Sequence, residues 1–396
     1  NGNKLVSDNF DFAKRQMVHM LENIPQGEAK MPHSINGKGN TSCRSIYWWT
    51  SGFFPGILWY INEYTGDKAF ESFAKKWTEK LEPVKTFKGN HDIGFMMYCS
   101  FGNAYRLTQN EKYKDILIQS AYSLATRFNP QVGTIKSWDS WRSWENKHVF
   151  KYPVIIDNMM NLELLFWASK ATGDPSFRNI AISHAEKTMK YQIRKDGSSY
   201  HLACYDPETG NFIKGETSQG YSNESTWSRG QGWGIYGFTL CYRETKDPRF
   251  LKTAQRMADY YINHPNLPSD KIPWWDFDTH RPGFIPGKFS KTNKYIQNYR
   301  DASAASVTAS ALLELSSYVK DDKKKIYTET ALQILTSLSS PEYRAEEGKN
   351  GNFILKHSTG AIPHGSEVDV PLIYADYYFL EALLRYNRMI NNKPIL

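Results

Sequence analysis

Two acidic residues open apolar helical segments in this chain: Asp92 in HDIGFMMYCSFGNAYRL (91–107) and Asp157 in IIDNMMNLELLFWAS (155–169). An aspartate before a helix is an ordinary N-cap, its carboxylate accepting from the first backbone amides. Two carboxylates at one cleft are also the equipment for acid/base work on glycosides, with one group kept protonated and the other ionised. A third segment, TSQGYSNESTWSRGQGWGIYG (217–237), gathers two Trp, one Arg, two Gln and five Gly where a helix begins. Indole faces cover the apolar face of a sugar ring, a guanidinium fork grips a carboxylate, and glycine lets the backbone come close. The residue types therefore point to a polar, ring-shaped, acidic ligand.

Around these segments stand other candidates, each with a plain structural alternative. His201 in SSYHLACYD is a possible ligand contact or a satisfied strand histidine. Trp138, Trp141 and Trp144 lie in the loop before Asp157, as a sugar platform or as a loop's own cluster. Arg229, between Trp227 and Trp233, is a ligand grip or an outward charge. Trp274 and Trp275 are core or rim. Other chemistries find no support: there is no GxSxG elbow, no HExxH spacing, and GQGWG (230–234) lacks both a preceding strand and a phosphate-loop lysine. Cys43, Cys99, Cys204 and Cys241 are far apart and read as free buried thiols.

The elements that must position these residues repeat. INEYTGDKAFESFAKKW (61–77), YRLTQNEKYKDILIQSA (105–121), ASKATGDPSFRNIAISHA (168–185) and CYRETKDPRFLKTAQRMA (241–258) each show a helix end, a Thr, a polar turn with Asp or Asn, then a new amphipathic helix; 316–335 is a looser copy. Such repeats indicate stacked helical hairpins. Periodicity predicts twelve helices, near 8–23, 45–64, 68–82, 92–107, 111–127, 157–171, 176–192, 229–244, 249–263, 301–318, 324–339 and 370–389. Strand signals are confined to loops such as 198–214. Six hairpins make an all-α (α/α)6 toroid, expected as a single domain over 1–396. The long connections 128–156, 193–228 and 264–300 fall on one rim, where functional loops are expected. On that rim the inner helices start with Tyr47-Trp48-Trp49-Thr50, His91-Asp92, Ile156-Asp157-Asn158, Trp227-Ser228-Arg229 and Arg300-Asp301, and the last starts after Ser366-Glu367-Val368-Asp369. Their N-termini add partial positive charge.

The composition fits this picture. Aromatic residues make up 15%, with 12 Trp and 25 Tyr, and the net charge is +8. That charge serves solubility or attracts an acidic ligand. No Lys/Arg block resembles a nucleic-acid patch, and no apolar run reaches the ~18 residues of a membrane helix. The chain begins at Asn1 without a signal-like apolar core, as after removal of a leader or trimming.

At this point the segments WWTSGFFPGILW (48–59), HDIGFM (91–96), YPVIIDNMMNLELLFWAS (152–169), DGSSYHLACYDPETG (196–210), TSQGYSNESTWSRGQGWGIYGF (217–238), RDASAASV (300–307) and DVPLIYADYYFLEALLR (369–385) together resemble the unsaturated glucuronyl hydrolases, glycoside hydrolase family 88. The resemblance runs from about residue 8 to 390 and implies the (α/α)6 barrel reached above. It implies an acidic unsaturated oligosaccharide as substrate, the product of a polysaccharide lyase, with no metal or organic cofactor. It also implies hydration of the C4=C5 vinyl ether rather than attack at the anomeric carbon. Asp157 matches the acid/base, and Asp92 the second essential aspartate, which contacts ring hydroxyls. His201, Gln219 and Arg229 match residues around the unsaturated sugar, with Arg229 or nearby donors expected on its carboxylate. Trp49, Trp227 and Trp233 match stacking positions; His91 and Trp138 complete the candidate set. Phe54 departs from the family's usual Trp.

Three other functions fit less well: an unsaturated rhamnogalacturonyl hydrolase, a toroid enzyme acting on saturated sugars, and a non-catalytic sugar-binding toroid. Lys356, His357 and His364 are candidates for contact with a sulfated sugar. The missing Met and the substrate class favour a bacterial periplasm over the cytosol.

Overall fold

The computed structural model describes residues 1–25, 27, 30–287 and 298–396. In chain order the helices are α1 (Gly2–Asn23), α2 (Phe53–Thr65), α3 (Lys68–Glu79), α4 (Ile93–Met97), α5 (Asn103–Thr108), α6 (Glu111–Ala125), α7 (Leu162–Thr172), α8 (Pro175–Tyr191), α9 (Ser228–Thr245), α10 (Pro248–Asn263), α11 (Ala302–Ser316), α12 (Asp321–Leu338) and α13 (Ile373–Ile390). Helices α4 and α5 are one rod joined by a π-turn, Tyr98–Gly102. The rod, α2, α7, α9, α11 and α13 form the inner ring. They are apolar on nearly every side: α11 is buried from Ala302 to Ser316. The outer helices are amphipathic. Helix α10, for example, buries Phe250, Ala254, Met257 and Tyr261 on one face. The result is the expected (α/α)6 toroid.

The hairpin repeat has a common physical cause. Asp67, Asn110, Asp174 and Asp247 cap the outer helices, each accepting from the amide two residues on. Thr65, Thr108, Thr172 and Thr245 each accept from the cap's own amide at 3.1–3.2 Å. Their hydroxyls donate back to the carbonyl four residues earlier. The residue between, Gly66, Gln109, Gly173 or Lys246, takes the left-handed conformation that ends the inner helix. At the end of the ring away from the long loops, Arg243 pairs with Glu163 at 2.6 Å and Glu314 at 2.9 Å, tying three inner helices together.

Several boundaries differ from expectation. The predicted helix 45–64 begins only at Phe53, so Tyr47, Trp48 and Trp49 belong to a rim turn. The predicted helix 157–171 opens as a 3₁₀ turn, Ile156–Asn161, before α7. The predicted helix 92–107 contains the π-turn, where Asn103 Nδ2 donates to the Cys99 carbonyl and Ser100 Oγ to that of Met96. The first helix starts earlier, at Gly2. A hairpin of strands Lys30–Ile35 and Thr41–Ser45 lies where no strand was expected. The anticipated strand region holds Leu202–Tyr205 and Phe212–Glu216, with Pro153–Ile155 completing a three-stranded sheet. Cys43, Cys99, Cys204 and Cys241 are free thiols, all buried but half-buried Cys43.

Candidate active site

Asp157 sits at the junction of that sheet and the 3₁₀ turn. The Ile156 amide donates to the His201 carbonyl at 2.9 Å, so the strand pairing sets Asp157 beside His201. Asp92 precedes α4. Its neighbour Phe95 donates its amide to Asn161 Oδ1 at 2.8 Å. This contact requires Gly94, because a Cβ there would stand 2.4 Å from the same oxygen. Asn161 thereby fastens the Asp92 turn to the Asp157 turn. Neither aspartate caps its helix. Both are nearly buried, at 8% and 6% exposure, so their carboxyl groups are held in the protein without the local role that usually explains them.

Burial pushes the Asp157 carboxyl up to about 6. The nearby charges of Arg229 and His91 oppose this shift, and that of Asp92 reinforces it. A carboxylic acid in this range holds a proton near neutrality and can deliver it. His91 is fully buried, with Nε2 3.0 Å from Asp92 Oδ1.

His201 is fixed in one tautomer. Its Nδ1 accepts from the backbone amides of Ser218 at 3.0 Å and Gln219 at 3.2 Å. The ring proton is therefore on Nε2, which lies 3.7 Å from Asp157 Oδ1. Burial, with the charges of Arg229, His364 and His91, holds His201 well below the usual histidine range, so it is a neutral donor.

Arg229 differs from its expected part. Its terminal nitrogens donate to Asp301 Oδ2 (3.1 Å), the Thr359 carbonyl (2.6 Å), Gln219 Oε1 (2.9 Å) and the Gly360 carbonyl (2.8 Å). Its guanidinium also lies 4.4 Å from the Trp227 ring centre and 5.3 Å from that of Tyr374. At 2% exposure it is a buried clamp joining α9, the start of α11 and the 358–370 loop, and its fork is not presented to a ligand carboxylate. Gln219 is placed by that clamp. Since its Oε1 accepts from Arg229, its NH₂ end is the donor left over.

The tryptophans divide. Trp49 is half-buried against Tyr374 at 4.8 Å, and Trp138 is half-buried 6.3 Å from His201. Both stand where a sugar could meet them. Trp227 is 3% exposed, packed 4.5 Å from His201 on one side and under Arg229 on the other. Trp233, expected as a stacking plate, is fully buried between Phe95 (5.2 Å) and Tyr378 (5.6 Å) and belongs to the ring's core. Trp141 is buried, with Nε1 on Glu216 at 3.3 Å. Trp275 is core at 2% exposure, whereas Trp274 is half-buried with Arg300 over its ring.

Sequence reasoning missed the part that four residues play at the site. Tyr374 was read only as part of an apolar helix, yet its ring lies against Trp49 and Arg229. Thr359 and Gly360 act through carbonyls, which no side-chain pattern reports. Asp301 was noted only as a helix start; it caps α11 through Ser303 and anchors Arg229.

A toroid of helical hairpins whose loop-bearing mouth holds two buried carboxyl groups among aromatic rings fits a carbohydrate-active protein. The profile of Glycosyl Hydrolase Family 88 matches residues 23–242. An unsaturated glucuronyl hydrolase of Formosa agariphila is 46% identical over 86% of this chain and 80% of its own length. An unsaturated chondroitin disaccharide hydrolase of Streptococcus pyogenes is 34% identical over 85% and 81%. The crystal structure of an unsaturated glucuronyl hydrolase specific for heparin superposes with a TM-score of 0.89, at 44% identity over 99% of both chains. The chain belongs to glycoside hydrolase family 88, the family of the unsaturated glucuronyl hydrolases. It is an enzyme, a glycoside hydrolase of that activity class.

Proposed function

We propose that this enzyme releases the 4,5-unsaturated uronic acid from the non-reducing end of glycosaminoglycan-type disaccharides by hydrating the C4=C5 vinyl ether. Asp157 gives its proton to C4, and the positive charge that results is shared by C5 and the ring oxygen. The carboxylate left behind takes a proton from water as that water adds to C5. The hemiketal then opens, the C1–O bond breaks, and the remaining sugar leaves as the alcohol. Asp92 receives ring hydroxyls, and the Nε2–H of His201 and the NH₂ of Gln219 donate to the sugar's oxygens. The observation that carries this reading is a buried aspartic acid, free of any capping role, facing a neutral histidine donor 3.7 Å away.

Among polymers, identity of 44% to the heparin-specific enzyme against 34% to the chondroitin-named relative supports a heparin-type disaccharide. A panel of lyase-made disaccharides, followed by loss of the unsaturated uronate's absorbance, tests the choice. The highest kcat/KM is expected on a heparin-type disaccharide. A preference for a pectin-derived rhamnogalacturonyl disaccharide would overturn the assignment.

A further inference from the structure

The rim beside the site carries an aromatic and cationic cluster that the proposed chemistry does not use. Consecutive tryptophans face opposite ways: Trp49 turns inward to Tyr374, while Trp48 is 39% exposed and Tyr47 45% exposed. Arg44, exposed at the end of the strand hairpin, holds its guanidinium 4.9 Å from the Trp48 ring centre. Among the described residues the Arg44 side chain makes no hydrogen bond or salt bridge, and its charge helps hold the nearby Glu367 carboxyl low. A stacked guanidinium keeps its in-plane N–H donors available for an anion. The cluster is fixed to the site rather than to a distant surface. His33 packs edge-on to Trp48 at 6.3 Å, bonds Thr50 Oγ1 at 3.0 Å and pairs with Glu367. Glu367 packs against Gly360, whose carbonyl accepts from the Arg229 clamp.

Two rings and one cation are too small for a protein partner, which needs about 800 Å² on each side. An indole plate matches the apolar face of one pyranose, and an unpaired Arg matches an acidic substituent. We propose that Trp48 and Arg44 form an outer saccharide platform. It holds a sugar beyond the first two of an unsaturated oligosaccharide, stacking it on Trp48 and pairing its carboxylate or sulfate with Arg44. This platform rests on the function proposed above and extends it from disaccharides to longer chains.

The test compares an unsaturated disaccharide, unsulfated and sulfated tetrasaccharides of uronate-bearing repeats, and a tetrasaccharide whose other three sugars are neutral. W48A is expected to lower kcat/KM on every tetrasaccharide by about three- to tenfold, the worth of one aromatic contact, with disaccharide turnover within about twofold of wild type. R44Q is expected to lower it on the anionic tetrasaccharides alone, and added salt should shrink the difference. Loss on both anionic substrates assigns the carboxylate to Arg44; loss on the sulfated one alone assigns the sulfate. Equal loss on disaccharide and tetrasaccharide, or no loss on any substrate, would overturn the platform. Calorimetric titration of the anionic tetrasaccharide into Asp157→Asn, with and without W48A, reads the platform without turnover. The same fold-loss of affinity is expected there even if the proposed reaction were wrong, and unchanged affinity would refute it.

Discussion

The imidazole of His201 turns its Nε2–H toward Asp157, 3.7 Å away, because its Nδ1 already accepts from the Ser218 and Gln219 amides. The 217–226 segment thus fixes the polarity of the acid's neighbour. Asp276 holds that segment in turn, accepting from the Tyr221 amide and the Ser225 hydroxyl. His201→Ala removes the acceptor of two buried amides as well as a donor at the site. The expected outcome is a drop in kcat on the order of tenfold or more together with a loss of roughly 1–3 kcal/mol of stability. Paired kinetics and denaturant melts check it; a variant with native kcat would remove His201 from the site.

The pH dependence follows from Asp157. In the proposed reaction Asp157 works protonated, and burial places its titration at about 6. The rate of the bound substrate should therefore hold at and below that pH and decline as pH rises through it. His201, held neutral well below the usual histidine range, adds no acidic limb of its own near pH 6. A kcat profile rising between pH 6 and 8 would contradict this assignment.

The same shift affects stability. The folded-state carboxyl binds its proton more tightly than in the unfolded chain, where it titrates near 3.8. Folding is favoured by this group below the unfolded value, and that advantage is lost as pH rises through about 6. By linkage the charged carboxyl costs on the order of 3 kcal/mol at pH 7–8. Asp157→Asn should then melt higher than wild type at pH 8 and show no such gain at pH 4. Equal Tm differences at both pH values would show that burial does not oppose the charge.

Arg229→Lys separates a clamp from a ligand grip. A lysine cannot reach Asp301, Gln219 and two carbonyls at once, and breaking a buried pair costs about 3–5 kcal/mol. The expected result is a clear fall in Tm with KM and kcat both impaired through loosening of the 358–370 loop. A variant with native Tm and a raised KM alone would restore the direct carboxylate contact.

Trp233→Phe tests the division among the tryptophans. At a fully buried position the change should cost stability while leaving KM within about twofold. A several-fold rise in KM without a stability loss would place the indole against the sugar.

Much of the fold was legible because its signals are local. The Thr, left-handed residue and Asp or Asn of each hairpin turn are contiguous, and the repeat is visible by eye. The π-turn at Tyr98–Gly102 and the 3₁₀ start at Ile156 were not legible. They arise where inner helices press on one another, which periodicity does not record. The placing of Asp92 and Asp157 where inner helices begin was readable from the apolar segments that follow them. The part of Arg229 was not, because its partners Asp301, Thr359 and Gly360 lie 72 residues or more away in sequence. Trp233 was assigned by its neighbours in the motif, whereas helical geometry turns it into the core, one turn beyond Arg229.

The most direct test is the turnover number of Asp157→Asn on an unsaturated disaccharide, measured by decay of the enol-ether absorbance, on protein shown by its melt to be folded. Proton delivery by Asp157 predicts a loss on the order of 10²-fold or more. Turnover within a few-fold of wild type would contradict it.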